Sequence, residues 1–161
     1  MPHFKARAVS VIAVCLLAGA TAGAAQAATP SVTTAIKAQD KAIKDSAVFK
    51  SLKHIKVNTP AQAKALIPKY QALQLKLQHA ATVVSKASAT GSEQRQGQKD
   101  WVGGVRELAH GVGLLDVALK DAVDGNKTAA KTELIKAEKA LTAANALGTK
   151  GDRLLGLPTK D

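Results

Sequence analysis

The sequence predicts an all-α protein, an up-down-up-down antiparallel four-helix bundle, and three observations lead to this class. Apolar residues recur at alternating steps of three and four, the spacing of a helix that packs on a neighbour at a shallow angle. No stretch alternates convincingly with period two, the pattern of a half-buried strand. The breaks between segments are short, and short connections force successive helices to run antiparallel.

Helical segments are predicted at about 31–56, 60–89, 92–124 and 127–155, and the second begins where the cap residue Thr59 precedes Pro60 at the first helical position. Each of the last three carries one apolar seam, and each seam is expected to face a dry interior that leaves acids and histidines outside. The seams are Leu66, Tyr70, Leu73, Leu77, Ala80 and Val84; Trp101, Val105, Leu108, Val112, Leu115, Leu119 and Ala122; and Ala130, Leu134, Ala137, Leu141, Ala144, Gly148, Gly151 and Leu155.

The first segment cannot bury all its apolar residues as one straight helix. At about 100° per residue, its two apolar sets lie on faces more than 100° apart. The sets are Val32, Ile36 and Ile43, and Phe49, Leu52 and Ile55. We therefore expect a break or kink near residues 45–46, with Asp45 or Ser46 capping the second piece. In the second segment, Pro68 predicts a kink or a fresh helix start, because proline lacks the amide hydrogen.

Residues 1–27 predict a cleavable Sec-type signal peptide. Lys5 and Arg7 precede an apolar stretch, and a small-x-small pattern ends at Ala27, where cleavage is expected. A retained anchor would need about 20 strongly apolar residues. Lipidation of Cys15 is disfavoured because the apolar run continues beyond it. Residues 28–161 then form one secreted domain, extracellular or retained at the cell wall.

The exported domain is strongly basic. Losing Lys5 and Arg7 leaves 21 basic residues against 12 acidic ones, a net charge of +9. This charge favours polyanions such as wall teichoic acid or anionic lipid. Specific nucleic-acid recognition is not expected, because arginines and aromatic stacking groups are scarce. The lysines act either as a solvated coat or as a means of retention at an anionic envelope.

No set of residues predicts catalysis, a cofactor or a metal. The 134 residues after position 27 contain no cysteine, no Gly-x-Ser-x-Gly and no phosphate-binding loop. One Glu-x-x-His, formed by Glu107 and His110, is half of what a di-iron site in a bundle requires. His54, His79 and His110 are predicted to lie at different levels. We expect that the protein is not an enzyme and has no permanent membrane span.

Small residues seven apart mark the third segment: Gly97, Gly104, Gly111 and Ala118. Because glycine inside a helix costs about 0.5–1 kcal/mol relative to alanine, this glycine ladder requires a reason. It indicates either close packing of a neighbouring helix or a groove for a ligand. Trp101, on the seam, is either a large core residue or an exposed anchor for a partner.

The Ala/Lys/Thr-rich composition behind a signal peptide resembles the small secreted proteins of high-GC actinobacteria, with segment 99–109 (KDWVGGVRELA) as the most distinctive stretch. The resemblance implies no activity and assigns no residue a role. The function expected from the sequence is binding at the cell envelope, to an anionic wall polymer or another envelope protein. The alternative is a carrier or sensor of a small apolar ligand held between the second and third segments.

Overall fold

The computed structural model describes residues 29–52 and 59–159. Five helices follow one another: α1 (Val32–Asp45), α2 (Ala47–Leu52), α3 (Pro60–Ser85), α4 (Gly91–Val123) and α5 (Lys127–Leu154). These ranges contain no strand, only one isolated bridge between Ser31 and Ser88. The all-α class is thus confirmed for the described chain. The predicted signal peptide and its cleavage position lie outside the described residues.

The first segment is divided at Ser46, within the stretch where a break was predicted. Ser46 has an extended backbone, and its Oγ accepts a hydrogen bond from Phe49 N at 3.3 Å, which caps α2. The break lets both apolar sets turn inward: Ile36 and Ile43 are buried on α1, and Phe49 and Leu52 are buried on α2. Ile55 is outside the described residues.

Local chemistry at the helix starts accounts for the bounds of α3 and α4. Thr59 and Gln62 form a reciprocal capping box, with Pro60 at the first turn. α3 then continues through Pro68 to Ser85, so a separate helix beginning at Pro68 does not occur. Gly91 opens α4 at φ 84°, a left-handed conformation that favours glycine.

α4 contacts both α3 and α5, and its contact with α5 is the more extensive. Near the start of α4, the Gln98 side chain donates to Val84 O and Ala87 O at the end of α3, at 2.6 and 2.9 Å. Far along α4, Asp116 accepts from Gln71 of α3. The two helices therefore run antiparallel.

α1 begins where α3 ends. Val32 N donates to Ser88 O at 2.9 Å, and Ser88 N donates to Pro30 O at 3.0 Å. α1 and α2 contact α3, although far less extensively than α4 does. The first segment is therefore the least packed part of the described fold.

The predicted seams form the core. All six residues of the second-segment seam are buried, and so are the first five of the third. Leu119 and Ala122 are half-buried, because α4 approaches its end there. In the fourth seam, Leu134 and Gly148 are half-buried and the other six are buried. Each buried leucine contributes on the order of 2 kcal/mol. None of the described helices is both long and apolar enough to cross a membrane.

Candidate functional site

The glycine ladder lies at the interface of α4 and α5. A Cβ atom added at Gly104 would stand 2.8 Å from Gly148 N and 2.9 Å from Ala144 O. One added at Gly111 would stand 3.0 Å from a Leu141 methyl carbon. Since real Cβ atoms rarely approach so closely, these glycines let the two backbones pack directly.

The start of α4 packs on the end of α5 in the same way. A Cβ added at Gly97 would stand 2.7 Å from Leu155 Cγ. Across the same contact, one added at Gly151 would stand 2.7 Å from Trp101 N. Ala118, the last member of the ladder, is buried. α4 and α5 are therefore antiparallel neighbours in close contact from Gly97 to Gly111.

This placement bears on the ligand hypothesis. The proposed groove was assigned to the second and third segments, which correspond to α3 and α4. The ladder instead faces α5, and the backbone atoms opposite Gly104 occupy the space that a ligand would need. The feature that motivated a bound ligand thus belongs to helix packing.

Trp101 lies inside the molecule. Only 4% of its surface is exposed, and it belongs to the main apolar cluster together with Leu108 and Val112. Its ring is not available as a surface contact in this conformation, so an exposed anchor is not what the structure offers at this position. Its burial contributes on the order of 2–3 kcal/mol to folding.

The expectation that all acidic residues lie outside is wrong. Asp40, Asp100 and Asp116 are each only 6% exposed. A buried carboxylate is costly unless it is paired and hydrogen-bonded, so its partners decide what it does. The three aspartates differ in this respect.

Asp100 connects α4 to α5. Its Oδ1 accepts from Gln96 Nε2 at 2.9 Å, and Lys150 Nζ of α5 lies 3.0 Å from its Oδ2. Burial acts to raise the pKa of Asp100, but the hydrogen bonds from Gln96 and Lys150, with the charges of Lys150 and Lys99, outweigh it and hold the pKa below its usual value.

Asp116 connects α4 to α3. Its Oδ2 accepts from Gln71 Nε2 at 3.2 Å and from Lys120 Nζ at 2.7 Å. Lys120 lies one turn further along α4 and is half-exposed, so it reaches over the buried carboxylate from the surface.

Asp40 is the exception. It forms no hydrogen bond or ion pair among the described residues, whereas Asp116, whose Oδ1 is also buried without a hydrogen bond, is paired through its Oδ2. Burial raises the pKa of Asp40 to about 6; the charge of Lys44 opposes this and the charge of Asp152 adds to it. Burial also raises the pKa of Asp152, on α5, to about 6.

A sequence signal for Asp40 existed. It stands four residues after Ile36 and three before Ile43, so it occupies a position of the apolar seam of the first segment. A seam defined only by apolar residues does not include Asp40, although the spacing places Asp40 on the same face of the helix. Asp100 and Asp116 likewise flank the apolar seam of α4.

Histidine and glutamate side chains do not assemble into a site in the described part of the chain. His79 and His110 are exposed and Glu107 is half-buried. Within residues 29–52 and 59–159, no three metal-ligating side chains are grouped so that they could hold an ion. His54 lies outside these ranges.

The exposed charges are strongly unequal. Among the described residues, sixteen cationic side chains are exposed but only four carboxylates: Asp45, Glu93, Asp124 and Glu138. The exposed cations are Lys37, Lys41, Lys50, Lys64, Lys76, Lys86, Arg95, Lys99, Arg106, Lys120, Lys127, Lys131, Lys136, Lys139, Lys150 and Arg153. Because acidic groups are preferentially buried or half-buried, the surface is more cationic than the composition implies.

Comparison of the chain with protein-family models, curated proteins and solved structures gave no match.

Proposed function

We propose that this protein is a secreted, non-enzymatic helical-bundle module that binds an anionic polymer of the cell envelope through its cationic surface. In this proposal the signal peptide is removed after Ala27, and α1 with α2 forms the first arm of an up-down-up-down four-helix bundle completed by α3, α4 and α5.

The helix directions support the bundle. α1 starts beside the end of α3, through the hydrogen bonds between residues 30–32 and Ser88. α4 runs antiparallel to α3, as the Gln71–Asp116 hydrogen bond indicates, and α5 runs antiparallel to α4, as the packing of Gly97 against Leu155 indicates. α1 then runs opposite to α3 and α5, as an alternating four-arm arrangement requires.

The observation that carries the proposed function is the inequality of exposed charge: sixteen cations against four carboxylates in the described residues. One of the four carboxylates, Asp45, is already paired with Lys41 at 2.7 Å. A surface of this kind attracts a flexible polyanion without needing a shaped pocket.

A polymer that presents repeated negative charge fits this surface better than a nucleic acid read by sequence. Sequence-specific readers of single-stranded RNA stack unpaired bases on exposed aromatic side chains. Here Trp101 and Tyr70 are buried, only 4% and 5% exposed. The exposed cations are mostly lysines, which act as point charges rather than as planar forks for base edges.

The test is co-sedimentation of the exported protein with purified cell walls at rising salt. We expect binding at about 20 mM NaCl and its loss by about 500 mM NaCl, because the screening length falls several-fold over this range. A variant with four Lys→Gln changes at exposed lysines that form no ion pair within the described chain should bind at least about tenfold more weakly. These lysines are Lys64, Lys76, Lys131 and Lys139.

The matched control replaces the same four lysines by arginine, which keeps the charge and should preserve binding. Walls stripped of teichoic acid serve as the second control. Absence of binding at the lowest salt, or equal binding of the Gln and Arg variants, would show that charge does not drive retention.

Export is tested separately. The intact mass of the protein recovered from the culture medium should correspond to a chain that begins at Ala28. A mass that includes residues 1–27 would show that the segment is not a cleaved signal.

A further inference from the structure

Asp40 and Asp152, which we call the carboxyl pair, belong to helices far apart in the sequence but at the same end of the molecule. Asp40 lies eight residues into α1, which begins beside Ser88 at the end of α3. Asp152 follows Gly151, which packs on Trp101 near the start of α4. Both α1 and α4 start at this end, so both carboxyls lie in this part of the fold, and the charge of Asp152 acts on Asp40.

No hydrogen bond or ion pair in the described chain offsets the burial of Asp40. Asp40 is 6% exposed, and its Oδ1 has neither solvent nor a hydrogen-bond partner in residues 29–52 and 59–159. Its counterparts Asp100 and Asp116 each have a lysine ammonium within 3.0 Å. Among the described residues, the charged groups that act on Asp40 are Lys44, from its own helix, and Asp152, from α5.

An ionised pair works against the docking of α1. The charge on Asp40 is separated from water, and the negative charge of Asp152 acts on it unfavourably. A proton on Asp40 removes the negative charge from the buried site. The two protonation states therefore differ in how well α1 packs.

We propose that the packing of α1 on the rest of the fold depends on protonation of the carboxyl pair. The packing is more stable when the pair carries a proton and less stable when both carboxyls are ionised. α1 is the element suited to respond, since α1 and α2 contact α3 far less extensively than α4 contacts α3 or α5. Protonation of the pair acts on the stability of the fold and does not depend on what the cationic surface binds.

The direction of the pH effect follows from linkage. An acid whose pKa is raised by folding contributes stability that is complete below its unfolded value and is lost as the pH rises through its folded value. For Asp40 and Asp152 this window runs from the usual 3.8 to about 6. A rise in pH from about 5 to about 7 should therefore loosen α1.

The experiment compares the native protein with Asp40→Asn, Asp152→Asn and Asp45→Asn by urea unfolding from about pH 7.5 to about pH 4.5. At the upper pH we expect Asp40→Asn to raise the folding equilibrium constant roughly tenfold, because the variant no longer buries an ionised carboxylate. Each pKa unit by which folding raises the pKa of Asp40 corresponds to a factor of ten, and partial contact with solvent reduces the effect. The gain should shrink steadily as the pH falls through this window toward 3.8. Asp152→Asn should act in the same direction and less strongly.

Asp45→Asn is the matched control. Asp45 lies on the same helix but is exposed, and its hydrogen bond with Lys41 holds its pKa below the usual value. Its substitution should therefore weaken folding at neutral pH, the opposite sign. Amide hydrogen exchange compared between variants at one pH should place the Asp40→Asn gain in α1 rather than in α4 or α5.

A ratio between Asp40→Asn and native protein that stays constant with pH would overturn the proposal. So would parallel behaviour of Asp40→Asn and Asp45→Asn, or a gain of protection spread over all helices. Asp152→Asn probes the same pair without altering the fully buried position, and a pH-independent effect there would count equally against it.

Discussion

The two buried aspartates of α4 form polar contacts with neighbouring helices, whereas the buried Asp40 of α1 does not. Asp100 receives Lys150 from α5, and Asp116 receives Gln71 from α3, so each carboxylate exchanges its water for donors on an adjacent helix. Asp40 forms no hydrogen bond or ion pair in the described chain, so no donor replaces the water it loses. The same residue type is thus expected to stabilise the fold at neutral pH in the first two places and to weaken it in the third.

At residue scale we predict that Asp100→Asn lowers the free energy of unfolding by about 1 kcal/mol at neutral pH, because the charged hydrogen bonds from Gln96 and Lys150 weaken while solvent screens part of the effect. The pKa of Asp100 is lowered by folding, so this stability is present above the usual 3.8 and is lost as the pH falls through the folded value. Urea unfolding at about pH 7 and about pH 3 measures it. The exposed Asp124→Asn is the control, and an equal loss at both pH values would contradict the argument.

At element scale, the packing of α4 on α5 depends on which glycine faces the partner helix. Gly103 and Gly104 are neighbours in sequence, but only Gly104 faces the α5 backbone: a Cβ at Gly104 would stand 2.8 Å from Gly148 N, whereas one at Gly103 would meet only a Leu147 methyl carbon at an ordinary 3.6 Å. Substitution of either glycine by alanine therefore changes helix propensity equally, but only the substitution at Gly104 disturbs the packing on α5.

We predict that Gly104→Ala lowers the free energy of unfolding by about 1–2 kcal/mol, because the helices must separate and the overpacking cost exceeds the propensity gain of alanine. Gly103→Ala should raise it by about 0.5–1 kcal/mol, since the propensity gain is unopposed there. Thermal unfolding followed by circular dichroism should show melting temperatures that move in opposite directions. Equal shifts for both variants would mean that α4 and α5 are not in backbone contact at Gly104.

Element scale is also where the sequence was most informative. The start of α3 followed from Thr59 and Pro60, and the division of the first segment followed from two apolar sets on different faces, because both depend on nearby residues. The partner of the glycine ladder could not be assigned in the same way, since spacing fixes a face of a helix but not which neighbour covers it. The burial of Asp40 was not predicted, because a seam defined by apolar residues leaves out a charged residue on the same face.

At the scale of the whole molecule, packing is uneven. α4 has extensive contacts on two sides, with α3 and α5, while α1 and α2 contact α3 over much less of their length. Elements with few apolar contacts open locally at a lower free energy than the global unfolding. The chain therefore combines a firmly packed α3–α4–α5 unit with a first arm that is easier to release.

We predict that native-state amide exchange resolves these two parts. Amides of α1 should exchange through openings at least about 2 kcal/mol easier than those of α4, because α1 has far fewer contacts with other helices and carries the unpaired Asp40. Mass spectrometry of proteolytic fragments at several low urea concentrations measures this difference, with peptides from α5 as the internal reference for global unfolding. If α1 and α4 exchange with one common free energy and urea dependence, the molecule unfolds as a single unit and the carboxyl pair acts on the whole fold instead of on its first arm.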